Sequence, residues 1–180
     1  MANFIIKPAS SDDLLLQNDG GTTVVSIPGS GNPSISDDAG NTIATFETNT
    51  LNLTDKTLQR PCIRDYSEYF YAISGTQTSA FNFDLENGNV QSVTIGSMTA
   101  NIGITNSLSG KSNSLTVLMT NGGTATITFK AGAHGGGGNS VKWAGGTAPT
   151  LTTSGVDVLT FITFDGGTNY YGFTGGLDMS

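Results

Sequence analysis

Charge, cysteine and histidine are all scarce in this sequence. Only 12% of its 180 residues are charged, one is cysteine and one is histidine. Cys62 alone cannot form an intrachain disulfide, so the fold is not stapled, and a reducing compartment suits it. One His and one Cys do not make a zinc site. Cations are few: seven Lys and Arg stand against fourteen Asp and Glu, for a net charge of -7. Of Lys7, Lys56, Arg60, Arg64, Lys111, Lys130 and Lys142, only Arg60 and Arg64 lie close together. Without a basic stripe the chain lacks the footprint of a nucleic-acid binder. No apolar run approaches the ~20 residues of a membrane span, so no membrane partner is expected. The start, MANFIIKPASSDD, lacks a cationic stretch followed by an apolar core, so no secretory signal is expected.

Glycine is plentiful at 25 residues, and Thr, Ser and Asn recur throughout. Thr suits a pleated, half-buried surface and Gly, Asn and Asp suit turns, which points to many short strands. Strands are expected at 22–27 and 42–46, with Asn18-Asp19-Gly20-Gly21 and Asp37 to Asn41 as turns. These pieces form a degenerate β-repeat too thin to offset its own ordering entropy, so a partner is expected to order it. Residues 1–58 are therefore read as an extended N-terminal arm with β-hairpins, and 59–180 as a separate domain.

The second part is more regular. Residues 64–73 suit a strand closed by Gly75, although a helix fits their charge pattern. The run 79–85 alternates Phe81 and Phe83 with Asn82 and Asp84, and Asn87-Gly88 signals a hairpin into Val90, Val93 and Ile95. Strands follow at 100–105 and 114–120, with Asn121-Gly122-Gly123 turning the latter into 124–129. A short strand at 141–143 and an edge at 150–152 precede Val156 to Phe164, the most apolar strand and the expected centre. Asp165 to Thr168 turns it back into Tyr170 to Phe173. Eight to ten such strands with hairpin turns predict an all-β fold: an antiparallel jelly-roll-like β-sandwich.

Motifs for chemistry fail on context. Ala133-His134-Gly135-Gly136-Gly137-Gly138 resembles the oxyanion loop of some esterases, but no G-x-S-x-G elbow exists and His134 is the sole histidine. A mobile hairpin tip fits better. Ser109-Gly110-Lys111-Ser112 resembles the end of a phosphate-binding loop, yet position 105 is Thr and no helix follows. Asp12, Asp13, Asp19, Asp37, Asp38 and Asp165 match no calcium loop spacing and read as turn residues. The four x-G-G-T runs, at 19, 121, 144 and 165, read as turns leading into strands. No enzymatic activity, cofactor or metal is expected. Tyr66, Tyr69 and Tyr71, or Trp143 with Tyr170, suit sugar stacking or, more often, core and interface packing.

The run VKWAGGTAPTLTTSGVDVLTFITFDGGTNYYGFTGGLDMS, 141–180, carries a resemblance. A tryptophan strand at Trp143, the turn Gly145 to Pro149, the strand Asp157 to Phe161, the turn Asp165 to Thr168 and the pair Tyr170-Tyr171 are similar to the C-terminal ends of tailed-phage virion proteins. The resemblance is especially to phages of marine bacteria and cyanobacteria. The early run LLLQNDGGTTVVSI is similar to their N-terminal part, whereas 60–107 matches in pattern only. The resemblance implies a non-enzymatic, usually trimeric β-protein on the outside of a virion, assembled in the host cytoplasm. Its jelly-roll domain would be of a kind used in head decoration (cement) proteins and in tail fibres. A short arm plus one sandwich suits decoration, with the major capsid protein and copies of the chain as partners. Phe4, Ile5, Ile6, Leu14, Leu15 and Leu16 would then anchor the arm to the capsid, and Trp143, Tyr170, Tyr171 and Phe173 would line the subunit interface. The alternative is a short tail fibre or receptor-binding tip that recognises a host-surface glycan.

Overall fold

Short β-branched stretches between turn residues produce strands and little else. Among the described residues half are strand and 6% are helical, the helix being three single-turn 3-10 segments. The computed structural model describes residues 14–28, 31–37, 39–47, 51–52, 62 and 64–179. The chain falls into two compact units, Met1–Arg64 and Asp65–Ser180; the sequence had placed the division at 58.

In the first unit β1 (Leu14–Gln17), β2 (Thr23–Ile27), β3 (Ser34–Ser36), β4 (Thr42–Phe46) and β5 (Leu51–Asn52) form an antiparallel meander in chain order. Its turns use side chains as backbone mimics. The Asn18 side-chain oxygen accepts from Thr22 N–H at 2.8 Å. Asp37 accepts from the backbone N–H groups of Ala39 and Asn41 at 3.1 and 2.7 Å. The hairpins expected in the arm are thus present.

The second unit has nine strands: β6 (Phe70–Gln77), β7 (Phe81–Asp84), β8 (Val90–Ile95), β9 (Thr99–Thr105), β10 (Asn113–Thr120), β11 (Thr126–Ala131), β12 (Lys142–Trp143), β13 (Val156–Thr163) and β14 (Tyr171–Gly176). A six-stranded sheet runs β12-β14-β13-β10-β8-β6, and a three-stranded sheet runs β11-β9-β7. Strands alternate between the sheets from β6 to β11, and within each sheet they are parallel. Phe70 faces Val90, which faces Thr116; Phe81 faces Ile102, which faces Phe129. The chain therefore winds through three stacked two-sided coils, the packing of a short β-solenoid. The antiparallel strands β13 and β14 then extend the larger sheet.

The expectation of a wholly antiparallel, jelly-roll pairing is corrected here, along with two of its hairpins. Asn87-Gly88 does not join paired strands: a 3-10 turn at Leu85–Asn87 carries the chain from one sheet to the other. The reason lies in the core. Phe83 and Val93 belong to one apolar cluster, filled from both sheets, which a side-by-side hairpin could not reach. Gln91, fully buried, fixes the crossover by donating from Nε2 to the carbonyls of Asp84 and Gly88 at 2.6 and 2.8 Å. Asn121 to Gly123 is a second crossover of this kind, from β10 to β11. The turn at Asp165 to Thr168 does join paired strands, and β13 lies inside its sheet as its apolar run predicts. Two smaller expectations also change. The strand predicted over 64–73 begins only at Phe70, and 150–152 is irregular.

The core lies between the two sheets. The smaller sheet contributes the ladders Phe81–Ile102–Phe129 and Phe83–Ile104–Ala131, and the larger sheet contributes Leu115, Val117, Met119, Leu159 and Phe161. Trp143 meets Phe129 and Phe161 edge-on at 5.8 and 5.7 Å. Each fully buried side chain among these, such as Phe83, Leu115 or Phe161, contributes about 1.5–3 kcal/mol. This is how a chain with few charges and no disulfide holds its shape.

Candidate association surfaces

The His134 loop folds back on the small sheet instead of opening a site. Asn82, on the outer side of β7, accepts from His134 N–H at 2.8 Å and meets the ring Nδ1 at 3.0 Å. The loop crosses Gly103, where a Cβ would collide with the carbonyl of Gly132 and the amide of His134. At Gly138 a Cβ would run into the carbonyl of Ala131, while Gly135 and Gly137 have open space around them. The glycine run therefore contains one tight contact and two free positions, and its histidine is a clasp. Ser109 to Ser112 is a turn between β9 and β10, closed by Lys111 N–H to the Leu108 carbonyl at 3.2 Å.

The carboxylates are also engaged. Asp165 accepts from Asn169 Nδ2 at 2.7 Å, from Asn169 N–H at 3.0 Å and from Thr163 Oγ1 at 2.9 Å. The Asn169 bonds, side-chain first, hold its pKa down to about 2. Asp157 is buried and ties β13 to Thr152 N–H and Oγ1, both at 2.7 Å. Among the described residues no group of three or more His, Cys, Asp or Glu could hold a metal ion, and no helix is long and apolar enough to cross a membrane. Asp12, Asp13 and Asp38 lie outside the described residues.

The residues expected at a subunit interface separate into two groups. Tyr170 is wholly buried, its hydroxyl sharing a short hydrogen bond with Ser107, and it belongs to the core. Burial raises its pKa, with the Ser107 bond partly opposing. Trp143 packs against that core. Tyr171 and Phe173, by contrast, stand on the outer face of the larger sheet, 40% and 50% exposed.

That outer face is the most distinctive surface of the unit. Register places Phe70, Val90, Thr116, Thr160 and Phe173 in one row across five strands. A neighbouring row holds Ala72, Ser92, Leu118 and Val158, and Ile162 pairs with Tyr171. Phe164 adds a 70% exposed ring 6.1 Å from that of Tyr171. Neither of the two long rows contains a charged residue, and the Ile162–Tyr171 pair continues to Lys142 on the edge strand β12. The nearest cation, Lys142, sits on the edge strand with its ammonium 5.5 Å from the Tyr171 ring centroid. The outer face of the smaller sheet is different, with Asn82, Asn101, Thr128 and Lys130. One side of the unit is thus more polar, and the other carries the exposed aromatic and aliphatic side chains. Sequence reasoning missed Val90, Leu118, Val158 and Ile162. The signal was there: in VDVLTFITF both alternating sets are largely apolar, so the strand read as central and its outward set went unremarked.

The first unit carries a comparable face. Leu16, Val25, Ile35 and Ala44 are cross-strand partners, and Ile27, Phe46 and Leu51 follow on the same side by two-residue alternation or pairing. Of these only Ala44 is buried; Leu16, Phe46 and Leu51 are about half exposed. Among the expected anchor residues, Leu14 and Leu15 lie in β1 opposite Ile27 and Ser26, and Leu16 lies on this face. Phe4, Ile5 and Ile6 lie outside the described residues.

A third surface is a cleft of about 330 Å³ lined by Tyr66, Ser67, Glu68, Tyr69 and the crossover 85–89. Tyr66 and Tyr69 are 64% and 74% exposed. The Tyr66 hydroxyl donates to Glu68 at 3.2 Å, and that bond, ahead of slight desolvation and the Glu68 charge, raises the phenol pKa.

No protein-family model, curated protein or solved structure matches this chain.

Proposed function

We propose that this chain is a non-enzymatic structural protein of a phage virion. In this reading it is a decoration protein that sits on the outer capsid as a trimer and stabilises the shell. The observation that carries the reading is the outer face of the six-stranded sheet, whose rows carry no carboxylate and only Lys142 at the edge, on an acidic chain. Copies with a net charge of -7 repel one another, and a contact face without carboxylates adds least to that repulsion.

The apolar face of the first unit suits the capsid contact, with the major capsid protein as partner. Buried apolar area contributes about 25 cal/mol per Å² before the costs of association. Repetition over a shell multiplies weak contacts, and the sum opposes the outward pressure of packaged DNA. Cosedimentation of the purified chain with undecorated shells tests this. The full chain is expected to bind and to raise the temperature at which filled shells rupture. Removal of residues 1–20 is expected to abolish binding and leave 65–180 folded. Full binding by that truncation would remove the anchor from the reading. A tail fibre or receptor-binding tip is the second reading, favoured by the open tyrosine cleft.

A further inference from the structure

The cleft at 66–69 and 85–89 has a rigid floor and open aromatic walls. Its floor is the crossover turn. Gln91 holds it from below through the Asp84 and Gly88 carbonyls, and Asp84 caps it by accepting from Glu86 N–H at 3.0 Å. Asn106 Nδ2 donates to Asp84 at 2.7 Å, and the Asn89 carbonyl accepts from Thr116 N–H at 2.7 Å. Gly88 adopts φ +118°, and a Cβ there would lie 2.6 Å from the Tyr69 carbonyl oxygen. Glycine at 88 therefore lets the Tyr69 backbone rest directly on the turn and fixes where that ring is displayed.

The lining supplies two kinds of chemistry and omits a third. Tyr66 and Tyr69 present exposed ring faces. Asn87, Asn89, Glu68 and Glu86 present amide and carboxylate groups that donate to or accept from hydroxyls. No Lys or Arg lines the cleft, so phosphate, sulfate and acidic sugars meet only repulsion from the two glutamates. An ammonium ligand needs rings closed around it, whereas these stand open to solvent. A neutral sugar has what fits: apolar C–H faces for the rings and hydroxyl groups for the amides and carboxylates. The volume falls at the lower end of the ~300–1,000 Å³ range of small-ligand sites.

We infer that this cleft is a binding site for a neutral saccharide, with Tyr66 and Tyr69 as stacking platforms. The inference rests on the cleft alone and holds for either virion location. It is tested on the full chain by backbone amide NMR titration with malto-, cello- and galacto-oligosaccharides of graded length. At least one series is expected to shift the amides of Gly88 and Asn89 selectively. Tyr69→Ala, at a mostly exposed position, should weaken that binding about tenfold with the spectrum otherwise intact. Tyr171→Ala, on the distant strand β14, should leave it unchanged. Failure of all three series to move 85–89, or equal binding by Tyr66→Ala and Tyr69→Ala, overturns the assignment. So does displacement of the sugar by tetramethylammonium, which would make the site a cation box.

Discussion

Substituting Val158 by lysine places one charge in the middle of the outer face of the six-stranded sheet. Five strands spaced ~4.8 Å apart, with about seven residues rising ~3.3 Å each, cover on the order of 550 Å² per copy. A ring of three such faces buries about 1,650 Å² in total, or about 550 Å² at each contact, below the ~1,000 Å² expected of a specific pairwise interface, so the trimer depends on all three contacts forming together. Association is then real but modest, and one buried unpaired ammonium is enough to undo it. Leaving a charge without a partner in such a contact costs about 3–5 kcal/mol, or two to three and a half powers of ten in the association constant. The fold itself should lose ~1 kcal/mol at most, because residue 158 points away from the core. Sedimentation velocity across a concentration series reads the assembly, and far-UV circular dichroism reads the fold. Wild type is expected to run as a trimer and Val158→Lys as a folded monomer. Thr128→Lys, on the polar outer face of the smaller sheet, is expected to assemble as wild type does. Unchanged assembly of Val158→Lys would refute the role given to this face.

Gly138→Ala should destabilise by about 1–3 kcal/mol in urea unfolding because the loop must leave Ala131, whereas Gly135→Ala should stay within about 0.5 kcal/mol of wild type. Tyr170→Phe removes the Ser107 hydrogen bond and should cost about 1 kcal/mol at pH 7. The folded-state pKa of Tyr170 is raised, so its contribution is complete below the usual phenol value and is lost as pH rises through the folded value. The variant should therefore lose less stability than wild type above pH ~10. Asp165 has the opposite sign: its folded pKa is lowered to about 2, so its contribution exists above the usual carboxylate range and is lost as pH falls toward 2. Thermal melts should show Asp165→Asn below wild type at pH 7 and level with it near pH 2.

Much of the strand content was legible in the sequence, because Thr, Val and Ile runs bounded by Gly, Asn and Asp leave few alternatives. The turn at Asp165 was legible for the same reason, and so was the central place of Val156 to Phe164. Pairing partners were not. Asn87-Gly88 carries the strongest local hairpin signal in the chain, yet Phe83 and Val93 belong to opposite walls of one core, and that long-range demand overrides the dipeptide. Parallel stacking leaves no local mark, since Phe70 and Val90 meet across a whole coil. At the surfaces, Tyr171 and Phe173 were visible as aromatics near the end of the chain. The identical reading applied to Tyr170, and only the alternation of strand faces sends one tyrosine inward and the next outward. The outer-face positions Leu118 and Val158 escaped notice because an apolar residue in an apolar strand looks like core from sequence alone.

The most direct measurement is the number of copies of this chain per purified virion relative to the major coat protein, with the density located by cryo-electron microscopy. Decoration predicts a count comparable to the coat and density in trimers spread over the outer shell. A handful of copies confined to the tail, or none in the particle, would contradict it.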